Sequence, residues 1–301
     1  MNLSASIIVT LLYGDIFQYP YTEDELRAWL LRSVWAKTTI QKNLRVLVQK
    51  KKIVYKEPFY VLFGQQRNCM IRRSREKIGT KKWEKARYVA SFFRFIPTIT
   101  FIGVTGGLAL GNTDRNDDID FFIGALPGTL WITRCVSTIL TELLGVRRRP
   151  DSTQVKDTIC LNMFASEDGF LVPKHEQDIF TAHEVLQMRP LWERTYAYRK
   201  FLKKNAWVSV LFPEKWKQIH QNLTVPQQRE YFCFLIPVIR LLEQPAKYMQ
   251  LWYMNKRRTN EVISDTLIRF HPHDARVWIW KELEKKIQQY HLPLDKNFFQ
   301  T

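Results

Sequence analysis

Two aspartates separated by one residue, Asp118 and Asp120, are the side chains best suited to chemistry in this 301-residue chain. The apolar run over residues 119–123 is typical of a strand, and strand side chains alternate between faces, so both carboxylates are expected on one side of a sheet. Like charges at that separation repel unless a cation lies between them. Carboxylate oxygens are the ligands that hard divalent cations prefer, so the pattern predicts a site for Mg²⁺ or Mn²⁺ together with a polyphosphate.

A glycine turn precedes the two aspartates. Residues 98–105 are rich in β-branched and aromatic side chains, which predicts a strand that enters Gly106-Gly107. Because glycine has no Cβ, backbone N–H groups in such a turn can approach phosphate oxygens closely. The alternative is a solvated acidic turn, in which Asp118, Asp120 and the neighbouring Asp114 and Asp117 simply face water.

The spacing of these residues resembles that of the DNA polymerase β-like nucleotidyltransferases, whose short members carry Gly-Ser, ten residues and then Asp-x-Asp. In this chain Gly106-Gly107 is followed by ten residues and then by Asp118-Ile-Asp120. Ala109 and Gly111 also match the Gly-Ser-x-Ala-Arg-Gly motif of the aminoglycoside-modifying and antitoxin-type members. The resemblance covers about a quarter of the chain. Glycine replaces the family's serine at 107, and Leu110 replaces its arginine.

The resemblance implies a fold, a reaction and a set of site residues. The fold would be a mixed-sheet nucleotidyltransferase core, and the reaction would move a nucleoside monophosphate from an NTP to a hydroxyl acceptor with release of pyrophosphate. Asp118 and Asp120 would be the catalytic residues and would bind Mg²⁺ or Mn²⁺. Gly106, Gly107 and the hydroxyl of Thr105 would bind the NTP phosphates, with Thr105 standing in for the missing serine.

Members of this family usually place a third acid on the following strand, which we expect over residues 157–164. Asn162 lies near the middle of that strand and is the candidate for the third position, while Asp157 lies at its start. Either another acid such as Asp157 or Glu184 substitutes, or the acceptor is activated without one, or the domain is catalytically weak. The four cysteines, Cys69, Cys135, Cys160 and Cys233, show no metal-ligand spacing and are predicted to be buried or incidental thiols.

The charge is distributed unevenly along the chain. The formal net charge is +17, and residues 1–100 carry 19 basic and 7 acidic side chains. Residues 101–173 carry 6 basic and 9 acidic side chains, whereas residues 174–301 carry 21 and 13. An acidic centre with basic flanks suits a cation-loaded site beside surfaces that attract a polyanion, either a triphosphate or a nucleic acid.

Residues 1–64 have the pattern of a winged-helix-like domain, with three helices followed by a hairpin. Thr22 and Glu25 form the signature of a capping box at the start of the second helix. The third helix, expected over about 38–51, would carry nucleic-acid contacts through Lys42, Arg45 and Lys50. The alternative is that this domain packs on another protein or on its own catalytic domain.

The remaining segments complete a predicted α+β chain of four parts. A basic connector helix is expected over 65–96, bent near Gly79, then the nucleotidyltransferase core over 97–172 and a C-terminal helical domain over 173–301. Within that last domain, residues 231–254 are apolar enough to predict a buried helix pair. His271-Pro-His273-Asp274 is explained by helix capping rather than by metal binding.

Neither a signal peptide nor a membrane-spanning run is evident, so we expect a soluble, cytoplasmic protein. The sequence leaves the acceptor open among an RNA 3′ end, a protein side chain such as tyrosine and a small hydroxylated molecule. The competing functional class is a winged-helix regulator that binds nucleic acid and carries a weak or inactive nucleotidyltransferase domain. The base preference of the NTP and the oligomeric state do not follow from the sequence.

Overall fold

The computed structural model describes residues 2–149, 155–229, 233–255, 262–270, 275–293 and 296–300. The fold is α+β and contains two sheets, of three and six strands. Among the described residues, no helix is both long and apolar enough to cross a membrane. The motif His271-Pro-His273-Asp274 lies outside the described residues.

The N-terminal unit combines three helices with the three-stranded sheet. Its strands pair antiparallel in the order β1-β3-β2. The elements are α1 (Leu3–Ile16), β1 (Tyr21–Thr22), α2 (Glu23–Ala28), α3 (Lys37–Gln49), β2 (Ile53–Lys56) and β3 (Phe59–Leu62).

Local sequence explains two of these helices. The predicted capping box at α2 is confirmed, because the Thr22 hydroxyl accepts from the backbone N–H of Glu25 at 3.3 Å and the Glu25 carboxylate accepts from that of Thr22 at 2.8 Å. In α3 the apolar stripe is buried through Ile40, Leu44 and Leu47. The opposite face of α3 is therefore left in solvent.

A single long helix, α4 (Arg67–Phe93), follows the N-terminal unit and runs unbroken through the position where the sequence predicted a bend. A Cβ at Gly79 would lie 3.7 Å from side-chain atoms of Leu108 and Thr113, an ordinary packing distance, so the helix has room for a side chain there. Two of its basic side chains are internal. Arg72 pairs with Glu25 at 2.7 Å, and Lys82 pairs with Asp157 at 2.9 Å.

The six-stranded sheet forms the centre of the molecule, and its strand order is β7-β4-β5-β6-β9-β8. Among the strands of the described residues, only β5 and β6 pair in parallel, and a helix connects them as parallel pairing requires. The elements up to the third strand are β4 (Ile99–Val104), α5 (Gly106–Leu110), β5 (Ile119–Ala125), α6 (Leu130–Leu143) and β6 (Ile159–Ser166).

The rest of the chain supplies further helices and the three outer strands. These elements are α7 (Ile179–Gln187), β7 (Arg189–Glu193), α8 (Ala197–Lys204), α9 (Val208–Leu211), α10 (Pro213–Asn222), α11 (Ile236–Leu241), α12 (Glu243–Asn255), β8 (Val262–Ile263), β9 (Leu267–Arg269) and α13 (Ala275–Gln289).

The C-terminal part differs from the predicted separate helical domain in two respects. First, β7 pairs with β4 and β9 pairs with β6, so this part of the chain completes the central sheet. Strands of five and three residues carry too little periodicity to be recognised in sequence. Second, α11 and α12 are not a buried pair, since Leu241 is 76% exposed and Trp252 is 67% exposed.

The two faces of the sheet enter different cores. On one face Ile119, Phe121 and Ile123 of β5 pack with residues of α4 and α6. On the other face Phe122 packs with Phe201 in a core that extends into the N-terminal unit. The N-terminal unit is thus packed on the rest of its own chain.

Aromatic and ionic contacts fix this packing between the N-terminal unit and the rest of the chain. The imidazole of His183 stacks on Tyr13 and on Trp29, with ring centroids 4.1 and 4.2 Å apart. Lys286 of α13 pairs with Asp15 of α1 at 2.7 Å.

Candidate active site

Asp118 and Asp120 lie at the start of β5, on the face of the sheet opposite Ile119 and Phe121. The two apolar side chains are fully buried, whereas both aspartates remain partly accessible. Carboxylate oxygens of Asp118 and Asp120 and the Sγ atom of Cys160 all lie within 4.8 Å of one another. The structure therefore gathers two carboxylates and a thiol in one small cluster.

The register between β5 and β6 explains why Cys160 joins the aspartates. Asp120 pairs with Cys160, and a bulge then shifts the register so that Phe122 pairs with Met163. Asn162, the predicted third-position residue, stands within this bulge instead of beside Asp120. The sequence prediction assumed a regular strand, and it also treated Cys160 as an incidental thiol. In the structure Cys160 occupies the place next to Asp120.

The glycine turn is shaped by the carboxylate that it meets. Gly106 has φ +64°, and a Cβ on it would lie 2.7 Å from Oδ2 of Asp120. A Cβ on Gly107 would lie 3.0 Å from the backbone oxygen of Asn112. Glycine at 106 thus allows the Asp120 carboxylate to approach the turn, and a serine at 107 would press on the loop that follows.

That loop, residues 111–118, is held by side chains of α4 and by its own hydrogen bonds. Arg75 pairs with Asp114 at 2.9 Å and donates to the side-chain oxygen of Asn112 at 3.1 Å. The carboxylate of Asp117 accepts from the backbone N–H of Asp114 at 2.7 Å. Asp114 and Asp117 therefore stabilise the loop, whereas Asp118 and Asp120 belong to the cluster with Cys160.

Arg148 contacts the cluster from the segment between α6 and β6. Its Nη1 lies 2.5 Å from Oδ2 of Asp118 and 3.7 Å from Sγ of Cys160. A bridge between Arg147 and Ile159 places this segment beside the start of β6. Sequence reasoning missed Arg148, although the run Arg147-Arg148-Arg149 next to a predicted strand was the available signal.

The electrostatics of the cluster favour a cation. Burial, followed by the charge of Asp118, raises the pKa of Asp120 to about 7. Burial, followed by the charges of Asp120 and Asp118, raises the pKa of the Cys160 thiol well above its usual value. Burial, with a contribution from Asp120, also raises the pKa of Glu184 on α7 to about 7. These shifts come first from burial and then from the neighbouring carboxylates, and a bound cation would favour the charged forms of these groups.

Two cavities adjoin the cluster. The larger has a volume of about 370 Å³, and its polar lining includes Thr105, Asn162 and Glu184. The hydroxyl of Thr105 is buried and has no hydrogen-bond partner among the described residues. The smaller cavity, of about 140 Å³, is lined by Gly106 and Gly107 on one side. Aromatic rings of the N-terminal unit line it as well: Tyr13, Phe17, Tyr19, Tyr21 and Trp29.

The residues predicted to contact nucleic acid belong to a different surface. Lys42 and Arg45 are exposed on α3, and Lys50 is exposed at its C-cap. Asp157, the other acid considered for the third position, is instead paired with the buried Lys82. The described structure thus brings Asp118, Asp120, Gly106 and Thr105 together and adds Cys160, Arg148 and Glu184 to them.

Comparison of the chain with protein-family models, with curated proteins and with solved structures finds no match. The functional assignment therefore depends on the geometry of the site.

Proposed function

We propose that the protein is a nucleotidyltransferase of the DNA polymerase β-like type. It would transfer a nucleoside monophosphate from an NTP to a hydroxyl acceptor and release pyrophosphate. The observation that carries this proposal is the cluster of Asp118, Asp120 and Cys160 within 4.8 Å, beside a glycine turn that has room only for a residue without a Cβ.

The donor atoms fit a divalent cation. Two carboxylates are suited to Mg²⁺ or Mn²⁺, and the softer thiol of Cys160 shifts the preference toward Mn²⁺. Asp118, Asp120 and Cys160 would hold the ion, which when bound supplies charge neutralisation for the triphosphate. The fit is supported by the raised pKa of Asp120, which burial and the charge of Asp118 cause, because a bound cation would favour the charged carboxylate.

The protein's own groups would bind and orient the nucleotide around this cluster. Gly106 and Gly107 would present backbone to the phosphates from the smaller cavity. The hydroxyl of Thr105 has no partner within the described structure, so it is free to donate to a ligand. Arg148 would release Asp118 to the ion and then face the added negative charge of the nucleotide.

The N-terminal unit supports a second candidate function. Its element order α1-β1-α2-α3-β2-β3 and its sheet order β1-β3-β2 support a winged-helix interpretation, and the basic side of α3 is exposed. These features favour nucleic-acid contact through Lys42, Arg45 and Lys50. Cys160 in place of a third acid is compatible with a regulator that binds nucleotide without rapid transfer.

Nucleotide binding tests the main proposal without knowledge of the acceptor. We expect Mg-ATP or Mn-ATP to raise the melting temperature of the wild-type protein, and we expect the variant carrying both Asp118→Asn and Asp120→Asn to lose this shift. The matched control is Asp24→Asn, which removes an exposed carboxylate that pairs only loosely with Lys37, at 3.6 Å. The control should keep the full shift.

A double variant that retains the wild-type shift would overturn the site assignment. Release of pyrophosphate from labelled NTPs in the presence of cell extract then separates the two functions. A transferase releases pyrophosphate in a manner that depends on Asp118 and Asp120, whereas a regulator binds the nucleotide and releases none.

A further inference from the structure

The larger cavity lies on the same face of the sheet as Asp120. Its floor includes Phe122 of β5 and Met163 and Ala165 of β6, and α7 contributes Glu184, Val185 and Met188 to its wall. Residues 169–173, after β6, close another side. The lining is mainly apolar, so the cavity is suited to a ligand with an apolar body.

One end of this cavity is polar and adjoins the metal cluster. The backbone N–H of Thr105 donates to the carbonyl oxygen of Asp120 at 3.0 Å, which places Thr105 directly beside the aspartate pair. Its hydroxyl is buried without a partner among the described residues, and Thr105 as a whole is only 8% exposed. A buried hydroxyl in this state costs free energy unless a ligand satisfies it.

Two neighbours of Thr105 add polar groups to the same end. Glu184 lines both this cavity and the smaller one next to Gly106 and Gly107, so it stands between the two. The side chain of Asn162, carried inward by the bulge in β6, also lines the cavity. A ligand hydroxyl at this end would meet a hydroxyl, an amide and a carboxyl group.

The size of the cavity limits the kind of ligand. A volume of about 370 Å³ is near the lower limit of small-molecule sites, which run from roughly 300 to 1,000 Å³. A space of this size, with α7 and residues 169–173 among its lining, suits a small molecule better than an RNA end or a protein segment. Arg269 and Arg276, which pair with Glu176 at 2.7 and 3.6 Å, add further polar groups to the lining.

We propose that this cavity binds the acceptor, and that the acceptor is a small, mainly apolar alcohol or phenol whose hydroxyl lies at the Thr105–Asn162–Glu184 end. The inference rests on the proposed nucleotidyl transfer. It places the acceptor on the β6 side of Asp120 and the phosphates on the Gly106 side, so the Thr105 hydroxyl contacts the acceptor instead of the phosphates.

The transfer step balances with these groups. The acceptor oxygen forms a bond to the α-phosphorus of the NTP, and its proton passes to the carboxylate of Glu184. The bond between the α-phosphorus and the bridging oxygen breaks, and that oxygen leaves as part of pyrophosphate. No oxidant or reductant is required.

Direct binding of a probe alcohol tests the cavity independently of turnover. The probe is 2-naphthol, measured by fluorescence in equilibrium dialysis, and naphthalene is the matched probe without a hydroxyl. Val172→Trp fills the cavity from its half-buried rim, and Val210→Trp adds the same side chain at a 51% exposed position on α9. We expect Val172→Trp to weaken 2-naphthol binding at least tenfold and Val210→Trp to leave it unchanged.

Thr105→Val tests the polar end while keeping the shape of the side chain. It should weaken 2-naphthol binding about threefold to tenfold, the value of one hydrogen bond, and leave naphthalene binding unchanged. Melting temperatures of all three variants check that the fold is kept. The assignment would be overturned if Thr105→Val weakened 2-naphthol and naphthalene binding equally. It would also be overturned if Val172→Trp bound 2-naphthol as tightly as the wild type.

Mg-ATP binding on the same variants separates this inference from the proposed function. If Val172→Trp loses Mg-ATP binding while the wild type binds no 2-naphthol, the cavity is a nucleoside site and the acceptor assignment fails. If 2-naphthol binds as expected but Mg-ATP never does, the alcohol site stands and the nucleotidyltransferase proposal fails.

Discussion

Gly106 and Asp120 are in such close contact that a Cβ on the glycine would lie 2.7 Å from the carboxylate oxygen Oδ2 of the aspartate. Real Cβ atoms do not approach an oxygen this closely, so any side chain at 106 must displace Asp120. The glycine turn therefore sets the position of a proposed metal ligand, in addition to any contact it makes with phosphate.

The first prediction uses a matched pair of glycines at the two ends of α5. Gly106 and Gly111 have φ values of +64° and +75°, so alanine at either position costs about 1 kcal/mol of backbone strain. Space around Gly111 is open, whereas Gly106 meets Asp120. We expect Gly106→Ala to weaken Mn²⁺ binding at least tenfold and Gly111→Ala to leave it unchanged, as measured by calorimetric titration.

Similar losses in both variants would mean that strain in α5, rather than displacement of Asp120, controls the site. If both variants keep the wild-type affinity for Mn²⁺, Asp120 is not a ligand of the metal.

The second prediction concerns Cys160, which pairs with Asp120 across β5 and β6. Cys160→Asp would add a hard oxygen ligand at the third position, so Mg²⁺ affinity should rise by about tenfold or more. Cys160→Ser removes the thiol without adding charge and should lower the preference for Mn²⁺ over Mg²⁺. Competition titrations with the two ions measure both effects, and an unchanged Mg²⁺ affinity in Cys160→Asp would remove Cys160 from the ligand set.

Much of this site was predictable because it depends on local patterns. Alternation over residues 119–123 predicted that Asp118 and Asp120 share a face, and the structure places their ligand atoms together. Thr22 and Glu25 predicted a capping box at the start of a helix, found at Glu23–Ala28. Patterns of this kind are set within a few residues, so the sequence carries them directly.

The remainder depends on pairing between distant segments. The register of β6 against β5 places Cys160 instead of Asn162 beside Asp120, and nothing in the local sequence marks this register. Arg148 and Glu184 reach the site from a connecting segment and from α7, which only the assembled sheet brings near β5. Such residues follow from the tertiary structure and not from spacing along the chain.

The third prediction is a pH dependence of the metal-free protein. The pKa of Asp120 is about 7 in the folded state, because of burial and the charge of Asp118, and about 4 when unfolded. The folded state therefore binds more protons between pH 4 and pH 7, so the free energy of unfolding falls as the pH rises through that window and levels off above it. Glu184, with its pKa also raised to about 7, adds a dependence of the same sign.

Asp120→Asn should reduce this dependence, since the amide does not ionise. In EDTA at pH 8 we expect the variant to be more stable than the wild type by about 1–3 kcal/mol, and the difference should shrink toward pH 5. Denaturant unfolding at the two pH values measures it. A wild type whose stability rises steadily from pH 5 to pH 8 would contradict the assignment.

The fourth prediction concerns Arg148, whose guanidinium group pairs with Asp118 at 2.5 Å. Arg148→Gln removes this competitor for the carboxylate, so affinity for Mn²⁺ alone should rise by about twofold to fivefold. Stability should fall by less than about 1 kcal/mol, because the pair is partly exposed. The control is Arg149→Gln. The Arg149 side chain is 69% exposed and pairs with Glu142, so its replacement should change neither the affinity for Mn²⁺ nor the stability.

The last prediction tests the exposed face of α3. If Lys42 and Arg45 contact phosphates, the variant Lys42→Ala with Arg45→Ala should weaken binding to nucleic acids of every sequence. The slope of log K against log salt should become shallower by roughly one to two units. Lys81→Ala with Arg87→Ala removes the same charge from exposed positions on α4 and is the matched control.

Filter binding of a mixed-sequence duplex and of a single strand at four salt concentrations measures both slopes. If the α3 variant alone changes its slope, contact belongs to α3, whose outer face is exposed while its apolar stripe packs inside the N-terminal unit. If the slope changes equally in both variants, nucleic acid is attracted by the +17 net charge as a whole. The main role of the N-terminal unit is then to pack against the rest of the chain. A change in the α4 variant alone would assign the nucleic-acid surface to the exposed side of that helix.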